Sequence, residues 1–139
     1  MIKFKDGYKY QLADSHWSVV SHYLPEVKSH AWITVESNAS LRGSSVIRVN
    51  NHYAWDGPSG PTIDTDNFMR GSLIHDALYQ LMREGVINEK YRKTADLALR
   101  ELCIQDGMSK LRAWWVYQGV RLGGKKSATK GNVKPTRVI

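Results

Sequence analysis

The stretch from Asp66 to Gly85, DNFMRGSLIHDALYQLMREG, decides how the rest of the chain is read. Phe68, Leu73, Ile74, Leu78, Leu81 and Met82 recur at helical spacing, so the stretch predicts an amphipathic helix. Asp64, Asp66 and Asn67 supply start signals and Gly85 a stop. His75 and Asp76 stand in the middle of this apolar pattern, among Leu73, Ile74 and Leu78. Tyr79, four residues after His75, shares its face, whereas Asp76 is turned by one residue toward a neighbouring side. Polar groups on such a helix need partners, because an unpaired buried one costs roughly 1–3 kcal/mol and a charge more.

Downstream, a second helix is predicted from about Asn88 to Gly107, with Tyr91, Ala95, Leu99, Leu102 and Cys103 inward. If the chain turns near Gly85-Val86, the two helices form an antiparallel hairpin and Asp96 comes level with His75 and Tyr79. A carboxylate there can orient the imidazole and accept from the phenol. A third helix is predicted from near Ser109 to Gly123-Gly124, carrying Leu111, Trp114, Trp115, Val116 and Val120. Upstream lies the loop Trp55-Asp56-Gly57-Pro58-Ser59-Gly60-Pro61-Thr62, where two glycines and two prolines forbid a regular element.

The first fifty residues alternate as strands do, at Tyr8–Leu12, Trp17–Val20, Ala31–Val35 and Ser45–Val49, with breaks between them. The expected fold is therefore α+β: an N-terminal antiparallel β-meander followed by a three-helix C-terminal half. With 139 residues, 42% of them hydrophobic, the chain is expected to form a single domain over 1–124. Within it, 1–54 is strand-rich, 55–65 is loop and 66–124 is helical. Residues 125–139 are expected to be a basic, mobile tail.

Cys103 is the only cysteine, so an intrachain disulfide is excluded and the thiol is expected in the core. No signal peptide and no membrane span is read, which places synthesis in a cytosol, bacterial by the resemblance given below. From Arg121 to Ile139 there are six basic residues and no acid, against a formal net charge of +7. Arg121, Lys125, Lys126 and Lys130 are thus the candidates to contact an anionic membrane or nucleic acid, although such a tail can equally be a solubilising end. Trp114, Trp115 and Tyr117 are expected mainly in the core, as large side chains usually are. Any exposed part of that group would join the tail at a bilayer.

The string His75-Asp76-Ala77-Leu78-Tyr79, the Gly-rich loop before it and Asp96-x-Ala98 after it resemble the calcium-dependent phospholipase A2 pattern. The resemblance implies a phospholipase A2-like helix hairpin with His75 as base, Asp96 and Tyr79 as its supports, and Ca2+ held by Asp76 with Trp55, Gly57 and Ser59. Hard oxygen ligands of that kind suit Ca2+. The chain departs from that family in lacking its half-cystines and in having Asp56 and two prolines in the loop. Over nearly its whole length, to Tyr117-x-x-Val120-Arg121-x-Gly123-Gly124, it also resembles a phage and bacterial domain family of unknown function. That likeness implies a phage or prophage origin, and the protein is separately expected as a virion component.

Two functions follow as expectations. One is a phage-encoded, calcium-dependent hydrolase of glycerophospholipid esters acting at a phospholipid membrane. The other is a non-catalytic phage structural or host-interaction protein, partnered by other phage proteins, in which His75, Asp76, Tyr79 and Asp96 form a buried network. A metal phosphohydrolase built on His75-Asp76 would want further ligands such as His52 and an all-helical fold, which the strand-like first half opposes. His16, His22 and His30 have no ligand spacing and are expected to be structural; His52 is at most a support. No nucleotide fingerprint, zinc knuckle or serine elbow is present.

Overall fold

A computed structural model describes residues 4–5, 10–12, 14–38, 43–51, 53–55 and 66–131. They fall into two compact units, one within Met1–Asp64 and one within Thr65–Val133. The class is α+β, strands first and helices after.

The first unit holds β1 (Phe4–Lys5), β2 (Tyr10–Leu12), β3 (His16–Val20), β4 (Ile33–Asn38), β5 (Ser44–Val49) and β6 (Ala54–Trp55). They form two three-stranded antiparallel sheets, ordered β1-β2-β6 and β3-β5-β4. In the second sheet β5 lies in the centre, with Val49 opposite both His16 and Ile33. A simple meander would have put β4 there. The centre goes to the strand with three buried aliphatic or small residues at period two, Ser45, Ile47 and Val49. Val27 makes a bridge to Val35 on the other side of β4, through bonds of 2.9 and 3.0 Å. Ser45 is buried, and its hydroxyl accepts from Leu24 N–H at 2.9 Å and donates to His22 C=O at 2.8 Å. His30 Nδ1 accepts from the backbone N–H groups of Trp32 and Ile33, and His16 Nε2 meets Ser18 Oγ at 2.9 Å. Both histidines are thus tied to local structure.

The second unit holds α1 (Asp66–Arg83), α2 (Arg92–Gln105), α3 (Lys110–Gly123) and the short α4 (Lys125–Ala128). A 3-10 turn over Glu89–Tyr91, capped by Asn88 Oδ1, leads into α2. Two glycines stop the long helices in the same way. Gly85 (φ 73°) and Gly107 (φ 100°) take the left-handed conformation that a Cβ disfavours. The following N–H groups, of Val86 and Met108, bond back to Leu81 and Cys103 C=O, which closes a Schellman motif on each. Ser109 caps α3 by accepting from Arg112 N–H.

α1 and α2 run antiparallel. Arg70, early in α1, pairs with Asp106, just beyond α2, through bonds of 2.8 and 3.0 Å. Tyr79, late in α1, meets Asp96, early in α2. Gly71 lets the helices approach, since a Cβ there would lie 3.0 Å from Cys103 Sγ and from a Leu99 methyl. Phe68, Leu99, Cys103, Met108 and Ala113 form a core at this end, and Ile104, Val116 and Val120 pack on it. Cys103 is buried as expected, and burial pushes its thiol up to about 12. No helix among the described residues is long and apolar enough to cross a membrane.

Two expectations for this unit are corrected. Residues 125–131 are not a loose start of a tail: Ala128 is buried, Arg83 Nη1 donates to Ser127 C=O at 2.9 Å, and Gly131 N–H bonds Arg83 C=O. The buried Arg83 guanidinium needs acceptors, and the α4 turn supplies one. Trp114 and Trp115 are not core residues either. They are 44% and 64% exposed, and Ala113 is the one fully buried residue of α3.

Candidate functional site

α1 delivers His75 and Tyr79 one turn apart on the face that meets α2, with their ring centroids 4.1 Å apart. α2 delivers Asp96, whose side chain is wholly buried. His75 Nε2 lies 2.7 Å from Asp96 Oδ1, and the Tyr79 hydroxyl donates to the same oxygen at 2.6 Å. From α3, Arg121 Nη1 donates to Oδ2 at 2.9 Å. One carboxylate therefore receives bonds from three side chains on two other helices.

Electrostatics fix the protonation of Asp96 and Tyr79. Burial alone would raise the Asp96 carboxyl, but the bond and charge of His75, then the bonds from Tyr79 and Arg121, outweigh it and hold the group below its ordinary 3.8. Asp96 is thus ionised at neutral pH. An ionised carboxylate only accepts, so His75 presents Nε2–H to it, and Nδ1 is the ring nitrogen left to act as a base. Tyr79 is pushed well above its ordinary 10.0, first by burial and then by its bond to Asp96 and the charge there, so it remains a neutral donor. The His75 side chain is 12% exposed, whereas that of Asp96 is fully buried.

Arg92, four residues before Asp96 on α2, closes the set from behind. Its Nε donates to Tyr79 Oη at 3.2 Å, and its Nη2 donates to Val120 C=O at 2.8 Å and Arg121 C=O at 2.7 Å. Those carbonyls belong to the last turn of α3, where Val120 C=O also accepts from Gly124 N–H at 2.8 Å. Gly124 sits directly over Tyr79: a Cβ there would lie 2.7 Å from the phenol oxygen. The α3 terminus is therefore seated against the tyrosine.

The structure brings His75, Tyr79 and Asp96 together. Asp76 follows His75 on α1 and is partly buried. Trp55 lies in β6 in the other unit, and Gly57, Ser59 and His52 lie outside the described residues. Among the described residues no group of three or more His, Cys, Asp or Glu side chains is placed to hold a metal ion. Lys125, Lys126 and Lys130 are exposed; Lys130 N–H bonds Glu89 and its side chain lies over Gly85. Arg121, grouped with them by sequence, has its guanidinium on Asp96.

Arg92 and the inward role of Arg121 are absent from the sequence reading. The four-residue spacing of Arg92 and Asp96 puts them on one face of a helix and was a usable signal. Arg121 carries no local signal, because its partner is twenty-five residues away on another helix. No protein-family model matches the chain, and neither a curated protein nor a solved structure matches it.

Proposed function

We propose that this protein is a phage-encoded hydrolase of glycerophospholipid esters that works at a membrane, with His75 as general base. The observation that carries the reading is the 2.7 Å contact from His75 Nε2 to a buried, ionised Asp96, supported on the same oxygen by Tyr79. A base held in one tautomer by a carboxylate is the arrangement that activates water. His75 Nδ1 takes a proton from water as the water oxygen bonds to the ester carbonyl carbon. When the bond to the alcohol oxygen breaks, the same proton passes to that oxygen, releasing fatty acid and lysophospholipid. Asp96 stabilises the imidazolium between the two transfers, and Tyr79 holds the carboxylate in place.

Ca2+ enters this proposal through the resemblance alone, with Asp76 as its carboxylate; Trp55 belongs to the other unit, and Gly57 and Ser59 lie outside the described residues. A hard cation takes about six to eight oxygens. Asp76 is the only described side chain of that set, so the residues on view do not by themselves make the site and the steps above use His75, Asp96 and Tyr79 alone. Fatty-acid release from mixed phospholipid vesicles, with Ca2+ and with chelator, tests the proposal. Release by the wild type supports it, and silence under every metal condition removes it.

A second reading rests on Arg121 and Arg92. With Arg121 on Oδ2 and Arg92 joining Tyr79 to the α3 terminus, the network also ties three helices, as a non-catalytic virion or host-interaction protein would need. Unfolding of His75→Gln alongside an inactive wild type favours that account.

A further inference from the structure

Leu111, Trp114, Trp115, Gln118 and Leu122 recur at i, i+3, i+4, i+7 and i+11, so they line one side of α3 over about 16 Å. Among them Leu111 is 68% exposed, Trp115 64% and Leu122 86%. The opposite side of the helix carries its packing, through Ala113, Val116 and Val120. The two indoles meet edge to face at 5.3 Å. Helices of folded domains ordinarily turn such a stripe inward, and one left in water points to a partner.

We propose that this outer side of α3 docks on an anionic phospholipid membrane. Charge selects that occupant. Exposed Lys110 precedes the stripe, exposed Lys125 and Lys126 follow it, and no acid occurs after Asp106. A second copy of this chain placed face to face would bring these like charges together. Nucleic acid would satisfy the lysines and stack on the tryptophans, but it has no use for two exposed leucines. A lipid surface takes all three kinds of group: leucines enter the acyl boundary, indoles settle at the headgroup level and lysines meet anionic headgroups. The inference deepens the proposed function by naming where the protein would meet its substrate phase, yet it stands on groups outside the Asp96 network. It is tested without hydrolysis.

Co-sedimentation with phosphatidylcholine vesicles, with and without phosphatidylglycerol, is the experiment, run on the full chain and on His75→Gln in parallel. Both should bind the phosphatidylglycerol vesicles equally, which separates docking from catalysis. Trp114→Ala/Trp115→Ala should weaken binding at least about tenfold. Lys125→Glu/Lys126→Glu should do the same and abolish the preference for anionic lipid. Leu122→Glu, at the most exposed position of the stripe, serves as an independent probe if the tryptophan variant loses its fold. The proposal is overturned by absence of vesicle binding, by binding that ignores the Trp and Leu changes, by a stripe-dependent dimer in sedimentation, or by stripe-dependent binding of DNA in place of vesicles.

Discussion

On β5 the buried polar side chain is Ser45, a neutral hydroxyl that accepts one bond from Leu24 N–H and donates one to His22 C=O. Between α1 and α2 it is Asp96, a carboxylate that takes bonds from His75, Tyr79 and Arg121. Both are fully buried. A hydroxyl loses little on leaving water once a donor and an acceptor are at hand, whereas a buried charge requires several charged or strong donors arranged around it. The sheet thus solves a local satisfaction problem, and the helices maintain a charge. Keeping a charge out of water is costly to arrange, and the proposed return is a histidine fixed in one tautomer with a nitrogen open to chemistry.

Deleting the two polar groups should separate these roles most widely. Asp96→Ala strands Arg121 and His75 around an apolar hole and should cost roughly 3–5 kcal/mol. Ser45→Ala leaves Leu24 N–H without its acceptor and should cost about 1–3 kcal/mol. Urea denaturation of both variants measures the difference. Equal losses would mean that the carboxylate is held no more tightly than the hydroxyl.

Acid should act on the helices through the same group. The Asp96 carboxyl is lower in the folded protein than its ordinary 3.8, so the folded state favours its ionised form. Its contribution is fully present above the ordinary aspartate value and is lost as pH falls through the folded one. Denaturation midpoints of wild type and Asp96→Asn across that acidic range should therefore converge as pH falls. A constant gap would show that ionisation of Asp96 does not stabilise the fold.

A smaller contrast lies within α3. Gly124→Ala would press a methyl group onto the Tyr79 phenol and the Val120 carbonyl, at 2.7 and 2.6 Å, and should cost about 1–3 kcal/mol. Gly119→Ala meets nothing within 4 Å on an exposed helical position and should gain up to about 1 kcal/mol. Thermal melts of the two variants should move in opposite directions. A Gly124→Ala melt that does not fall would show that Tyr79 is not held by the α3 terminus.

What could be read from the sequence follows the range of the forces involved. Alternation marked Trp17–Val20 and Ser45–Val49 because each residue's face is set by its immediate neighbours, and both segments lie within observed strands. Gly85, Gly107 and Ser109 marked helix ends because capping is local chemistry. The central position of β5 was not legible, since strand order depends on contacts far apart in sequence. At the site, His75 and Tyr79 share a face by helical geometry, and Asp96 could be found because a hairpin fixes its register. Arg121 could not be found, and its charge suggested a surface partner instead. Trp114 and Trp115 follow helical spacing, but spacing alone does not say which of two apolar sides of α3 faces the core.

Whether the helices maintain their charge for chemistry or only for architecture turns on His75. The deciding measurement is fatty-acid release from one preparation of mixed phospholipid vesicles by wild type and His75→Gln, each first shown to be folded by its thermal melt. A base that takes the proton from water cannot be replaced by an amide, so release by the wild type should fall at least about a hundredfold in the variant. Equal release by the two proteins, or none from folded wild type with Ca2+ or chelator, would contradict a catalytic His75.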